Sequence, residues 1–81
     1  MDTGILKIGY EVPQKIRELK RQLRQAGFFS RQGKGSHTVW IHPLLPRDEL
    51  TISGNDTDEA KKYQVSDVKN ILKKLREAQG K

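Results

Sequence analysis

The chain contains no cysteine, which excludes disulfide cross-links and any thiolate zinc site. Two histidines are too few to close a metal site on their own. The acidic residues Asp48-Glu49 and Asp56, Asp58, Glu59 lack calcium- or magnesium-loop spacing and read as solvated loops. No metal and no cofactor is therefore expected. No apolar run approaches the roughly 20 residues of a membrane span, so no membrane association is expected. The first residues, Met1 to Leu6, do not pair a basic segment with a long apolar one as an export leader would. With no cysteine and no leader, the cytoplasm is the expected location. Low-complexity tracts and repeats of solenoid length are also missing.

What is present fits one domain of 81 residues spanning 1–81. Residues 1–11 read as an N-terminal extension. At this size the buried fraction is modest, so stability rests on one small core. The formal charge is +6 at pH 7. Residues 1–45 hold eight Lys/Arg against three Asp/Glu, and residues 46–81 hold eight against seven, so the excess sits in the first half. Such a balance suits a polyanion, although net charge also serves solubility.

Hydrophobic spacing predicts a helix from about Val12 to Ala26. Pro13 suits its first position, Ile16, Leu19, Leu23 and Ala26 form its apolar face, and Gly27 stops it. Phe28–Gln32 predicts a strand and Gly33–Ser36 a turn. His37–His42, rich in β-branched and aromatic residues, predicts a second strand that Pro43 ends. Residues 43–48 read as a loop and Glu49–Ser53 as a third strand. A last helix is expected from Ser66, as N-cap, to Ala78, with Val68, Ile71, Leu72 and Leu75 inward. Consecutive strands with short links imply an antiparallel meander. The predicted fold is an α+β two-layer sandwich in the order αβββα, a three-stranded antiparallel sheet with two helices on one face. The double-stranded-RNA-binding domain has the same order.

Counting about 100° per residue, Arg17, Arg21 and Arg24 share one flank of the first helix. Lys69, Lys73 and Arg76 share the matching flank of the last. Two such ridges suit phosphate contacts, which supply affinity and salt dependence rather than sequence choice. Either ridge alone also reads as a solvated face, as Glu18 and Glu77 suggest. Strand alternation puts Trp40 with Thr38 and His42, opposite His37, Val39 and Ile41. In one reading Val39 and Ile41 face the helices and Trp40 stacks on a base from the open face. In the other, Trp40 is core and Val39 points out. Either way His37 and His42 oppose one another in a regular strand and do not form an acid–base pair.

Arg31-Gln32-Gly33-Lys34-Gly35-Ser36-His37 is the densest signal in the chain. Glycines allow backbone to approach a phosphate closely, and Arg31 and Lys34 bring positive charge. The segment lacks the spacing of a nucleotide-binding P-loop. An unperturbed imidazole titrates near pH 6.5, about where both proton acceptance and donation are accessible. RNA supplies its own nucleophile, the 2′-OH, so cleavage needs a base, an acid and charge on the transition state. On these grounds alone His37 reads as a structural or surface histidine rather than a catalytic one.

Lys15-Ile16-Arg17-Glu18-Leu19 through Gln25-Ala26-Gly27-Phe28, then Arg31 to Ser36-His37 and a strand ending His42-Pro43, resembles the HicA (YcfA-like) toxins. The closing Asn70-Ile71-Leu72-Lys73-Lys74 is similar to that family's C-terminal helix, and the likeness covers roughly residues 14–78. After the third strand the chain departs from the family pattern, with Ile52-Ser53-Gly54-Asn55 and Gln64-Val65-Ser66 where a Pro/His segment and a Gly-Thr helix start are usual. The resemblance implies a double-stranded-RNA-binding-like fold and a toxin that arrests growth as a metal-independent endoribonuclease (mRNA interferase). It implies mRNA as substrate and a HicB-type antitoxin as partner. The family's catalytic histidine, in Gly-Ser-His, falls on His37. Lys34, Gly35, Ser36 and Arg31, the two basic ridges and Trp40 are then the expected RNA contacts. A non-catalytic RNA-binding module of the same fold is the alternative, and a partner-binding domain that does not touch RNA is a third.

Overall fold

The structure is a computed structural model that describes residues 13–80; the expected extension over residues 1–11 lies outside them. Helix α1 (Ile16–Gln25) is followed by strands β1 (Phe29–Gln32), β2 (Thr38–His42) and β3 (Leu45–Ile52), then helix α2 (Lys62–Gln79). The strands form an antiparallel sheet in the order β1-β2-β3. Both helices pack on one face, so the αβββα two-layer architecture expected from the sequence is the observed one. The core joins Ile16, Leu19 and Leu23 of α1 to Val68, Ile71 and Leu75 of α2 over Trp40 and Ile52.

Helix α1 starts at Ile16, not near Val12. Its first-turn amides need acceptors from elsewhere, and the backbone carbonyls of a distant loop provide them. Ile16 N–H donates to Asp58 O (2.9 Å) and Arg17 N–H to Asp56 O (3.1 Å). Upstream, Lys15 bridges Glu59 in antiparallel fashion and Ala60 N–H donates to Gln14 O (2.7 Å). That pairing holds Gln14 and Lys15 extended, so Pro13 precedes the helix and is not its first residue. The C-terminus follows local chemistry. Gly27 takes a φ of +97°, Gly27 N–H donates to Arg24 O and Phe28 N–H to Leu23 O (both 3.0 Å), a Schellman closure. A Cβ at residue 27 would lie 3.1 Å from His42 Nε2.

Helix α2 starts at Lys62, four residues before Ser66, which is an exposed mid-helix residue. Gln64 makes the cap instead: its Oε1 accepts Lys61 N–H (2.8 Å) and its Nε2 donates to Ser53 O (2.9 Å). This is the reach-back half of a capping box, made by a buried glutamine.

Strand β3 starts at Leu45, so most of the expected 43–48 loop is strand. Pro43 and Leu44 alone make the turn, in which Leu44 N–H donates to His42 Nδ1 (3.0 Å). Pro46 is tolerated because β3 is an edge strand. The β2–β3 register shifts between Trp40, opposite Leu50, and His42, opposite Leu45, so β3 bulges there.

Strand β2 settles the two readings of Trp40. The ring is fully buried, its Nε1–H donates to Thr38 Oγ1 (2.9 Å), and Arg24 Cζ lies 5.3 Å from its centroid. Trp40 is therefore core and not an exposed stacking platform. His42, two residues on, is buried too. The outer face carries Val39 and Ile41, with their ladder partners Arg31, Thr51 and Phe29, and Phe29 is largely exposed. The core demands the largest apolar surface available, and Trp40 supplies more of it than Val39.

Candidate functional site

The β1–β2 connection, residues 33–37, is a tight, heavily bonded turn. Gly33 N–H donates to His37 O (2.9 Å). Gln32 Nε2 donates to Gly35 O (2.9 Å) and to His37 O (3.3 Å). Gly35 has a φ of +56° with open space where a Cβ would be, so the left-handed backbone alone favours glycine there. Ser36 Oγ accepts Gly54 N–H (3.2 Å) and ties the turn to the β3–α2 loop.

His37 lies just before β2, exposed at the end of this turn. Its Nδ1 is 2.8 Å from Lys34 O, which also accepts His37 N–H (2.9 Å). A carbonyl oxygen only accepts, so Nδ1 carries a proton and donates. In the neutral ring Nε2 is then unprotonated and available as a base, which is the arrangement acid–base chemistry needs. His42 has the opposite tautomer. Its Nδ1 accepts Leu44 N–H, and its buried ring packs edge-on to Phe28 with centroids 5.0 Å apart. It is a structural residue, and the two histidines do not form a pair.

Arg31, Lys34, Gly35 and Ser36 are exposed on the same turn or beside it. Arg31 leans toward Glu49 at 3.5 Å on the outer sheet face, and Lys34 forms no ion pair among the described residues. Arg17, Arg21 and Arg24 are exposed along α1, and Lys69, Lys73 and Arg76 along α2. Arg21 is held by Glu18 at 2.6 Å, and that contact holds the Glu18 carboxyl below its usual range. Arg24 lies over Trp40. Arg76, of the second ridge, lines a groove between the helices with Gln22, Gln25 and Gln79.

Beside the turn is a polar cavity of about 320 Å³ that the spacing of basic residues does not reveal. Lys20, Gln32, Ser36, Thr38, Asn55 and Asp56 line it. Lys20 Nζ donates to Asp56 Oδ1 at 2.6 Å. That hydrogen bond, the charge of Lys20 and then those of Arg24 and Arg17 hold the Asp56 carboxyl below its usual range. The tie is thus intact at neutral pH and is lost only as acid protonates Asp56. Two further acids, Asp48 on β3 and Asp58 in the β3–α2 loop, are engaged as well. Asp48 pairs with Lys74 (3.0 Å) and Asp58 Oδ2 accepts Asn55 N–H (2.9 Å). Among the described residues no group of three His, Asp or Glu side chains is arranged to hold a metal, and no helix is long and apolar enough to cross a membrane.

A family model described as the HicA toxin of bacterial toxin–antitoxin systems matches residues 16–78. No curated protein and no solved structure matches the chain. The matched span runs from the first residue of α1 into the last turn of α2 and takes in every strand, the Gly-Ser-His turn and the cavity beside it. The chain belongs to the HicA toxin family, toxins of bacterial toxin–antitoxin systems, whose members imply an antitoxin partner and an RNA substrate.

Proposed function

We propose that this chain is an endoribonuclease toxin that cleaves mRNA without a metal ion and uses His37 as its acid–base residue. The observation that carries the reading is the clamp of His37 Nδ1 on Lys34 O, which leaves Nε2 as the free nitrogen of an exposed imidazole. Nε2 removes the proton of a ribose 2′-OH, and the 2′-oxygen forms a bond to the adjacent phosphorus. The bond from phosphorus to the 5′-oxygen breaks, and that oxygen takes up a proton from imidazolium or water. The products are a 2′,3′-cyclic phosphate and a 5′-hydroxyl. Lys34 lies on the turn where negative charge builds up, and such charge is stabilised by fixed donors. A HicB-type antitoxin is the expected partner and the cytoplasm the expected location, both from family membership.

Purified protein is expected to cut single-stranded RNA as fast in EDTA as in magnesium, leaving cyclic phosphate ends. Loss of cleavage in EDTA with recovery in magnesium overturns the mechanism. Binding without cleavage overturns the enzyme and leaves the non-catalytic RNA-binding module.

The basic ridges give a second test. Replacing Arg21 and Lys73 together is expected to weaken RNA binding across sequences. The slope of log affinity against log salt should flatten by up to about 1.4 units, at roughly 0.7 for each of two single-strand contacts. Both side chains are exposed, so folding should survive. Fluorescence anisotropy over a salt series reads the result, and an unchanged slope means that these side chains face solvent only.

A further inference from the structure

We infer that the cavity between the β1–β2 turn, α1 and the β3–α2 loop binds a phosphodiester of the RNA backbone, with Lys20 as its cationic ligand. The inference rests on the RNA-binding half of the proposed function. Four observations carry it. The cavity flanks the turn that carries His37, since Ser36 and Thr38, its two chain neighbours, line the wall. At about 320 Å³ it falls at the small end of ligand sites, which start at roughly 300 Å³.

Its donors are also directed. The Lys20 side chain is only 13 % exposed, so its ammonium is held at the wall and does not sweep through solvent. One of its three N–H groups goes to Asp56, which leaves two to donate. Ser36 Oγ uses a lone pair to accept Gly54 N–H and keeps its own hydrogen to donate. The exposed Asn55 completes the rim.

The local field has the right sign. Three cations, Lys20, Arg24 and Arg17, stand near Asp56 against two carboxylates, Asp56 and Asp58, whose Oδ2 accepts Asn55 N–H, so positive charge is in excess by one. Asp56 orients Lys20 and limits its charge, which favours a ligand that follows the backbone over a free anion. Arg17 and Arg24 lie about one helical turn to either side of Lys20 on α1.

The test measures binding of a fluorescein-labelled mixed-sequence RNA 12-mer to the full chain carrying His37→Ala, so that no cleavage interferes. Lys20→Met is expected to weaken binding about tenfold, the loss of one charge-assisted hydrogen bond. It should also lower the salt slope by about 0.7. Lys20→Arg should keep most of the affinity. Asp56→Asn breaks the same tie but leaves the cation, and should bind at least as tightly as the parent. Equal weakening by Lys20→Met and Asp56→Asn makes the pair a structural tether and overturns the inference, as does unchanged affinity in Lys20→Met at an unchanged thermal midpoint. If the parent binds no RNA at all, the proposed function fails with it. If the parent binds and the native chain does not cleave, only the nuclease reading fails.

Discussion

Replacing His37 with alanine is expected to abolish RNA cleavage and relieve toxicity while the fold stays intact. A positioned acid–base group contributes about 10²–10⁴ in rate, and with no second exposed histidine to take over, activity should fall to background. The structural cost is small. His37 is exposed, and the side chain gives up one hydrogen bond, to Lys34 O, worth about 0.5–1.5 kcal/mol. The turn keeps its bonds from Gln32, Gly33 and Ser36. His37→Asn sharpens the test, because a side-chain amide can still donate to Lys34 O but is no base. Cleavage rates with circular dichroism melts on both variants decide the matter. Undiminished cleavage moves the active site elsewhere, and an unfolded alanine variant alongside an active asparagine variant makes the residue structural.

The second large effect lies in the core. Trp40→Ala is expected to cost about 3–5 kcal/mol, the usual range for deleting a buried aromatic side chain. Total stability for proteins is about 5–15 kcal/mol, and a small domain sits near the bottom of that range. The variant should be largely unfolded at 37 °C, as read by circular dichroism in a urea titration. Trp40→Phe keeps most of the volume and loses the Nε1–Thr38 bond, and should fold with RNA affinity unchanged. In the native chain the single tryptophan should resist acrylamide quenching, and RNA should not quench it. Quenching by bound RNA, or full stability in the alanine variant, contradicts its place beneath Arg24.

These two residues also mark what could be read from the chain. The Gly-Ser-His turn, the Gly27 stop and the element order were legible because each depends on neighbours within a few residues. Alternation correctly grouped Trp40 with His42, but period two says which residues share a face, not which face is covered. That choice depends on how Ile16, Leu19 and the α2 residues fill the space above the sheet. The helix starts misled for a related reason. Ser66 has the chemistry of an N-cap, yet Gln64 wins because it also reaches Ser53 O, a partner eleven residues away. Lys20 was overlooked because it sits between the apolar stripe and the arginine flank, and its significance appears only once Asn55 and Asp56 fold against it.

The beginning of α1 has a kinetic consequence. Its first two amides end on carbonyls of Asp58 and Asp56, which follow all three strands in the chain. A nascent chain that ends at Gln25 holds the ten residues of α1 without their acceptors, below the length at which an isolated helix holds together. The first described helix is therefore completed only after the hairpins have closed and carried the 55–59 loop back to it. Folding is thereby tied to non-local closure, which slows it relative to a locally wired helical protein of the same size. A toxin so built leaves α1 unfinished until the loop after its third strand has been synthesised.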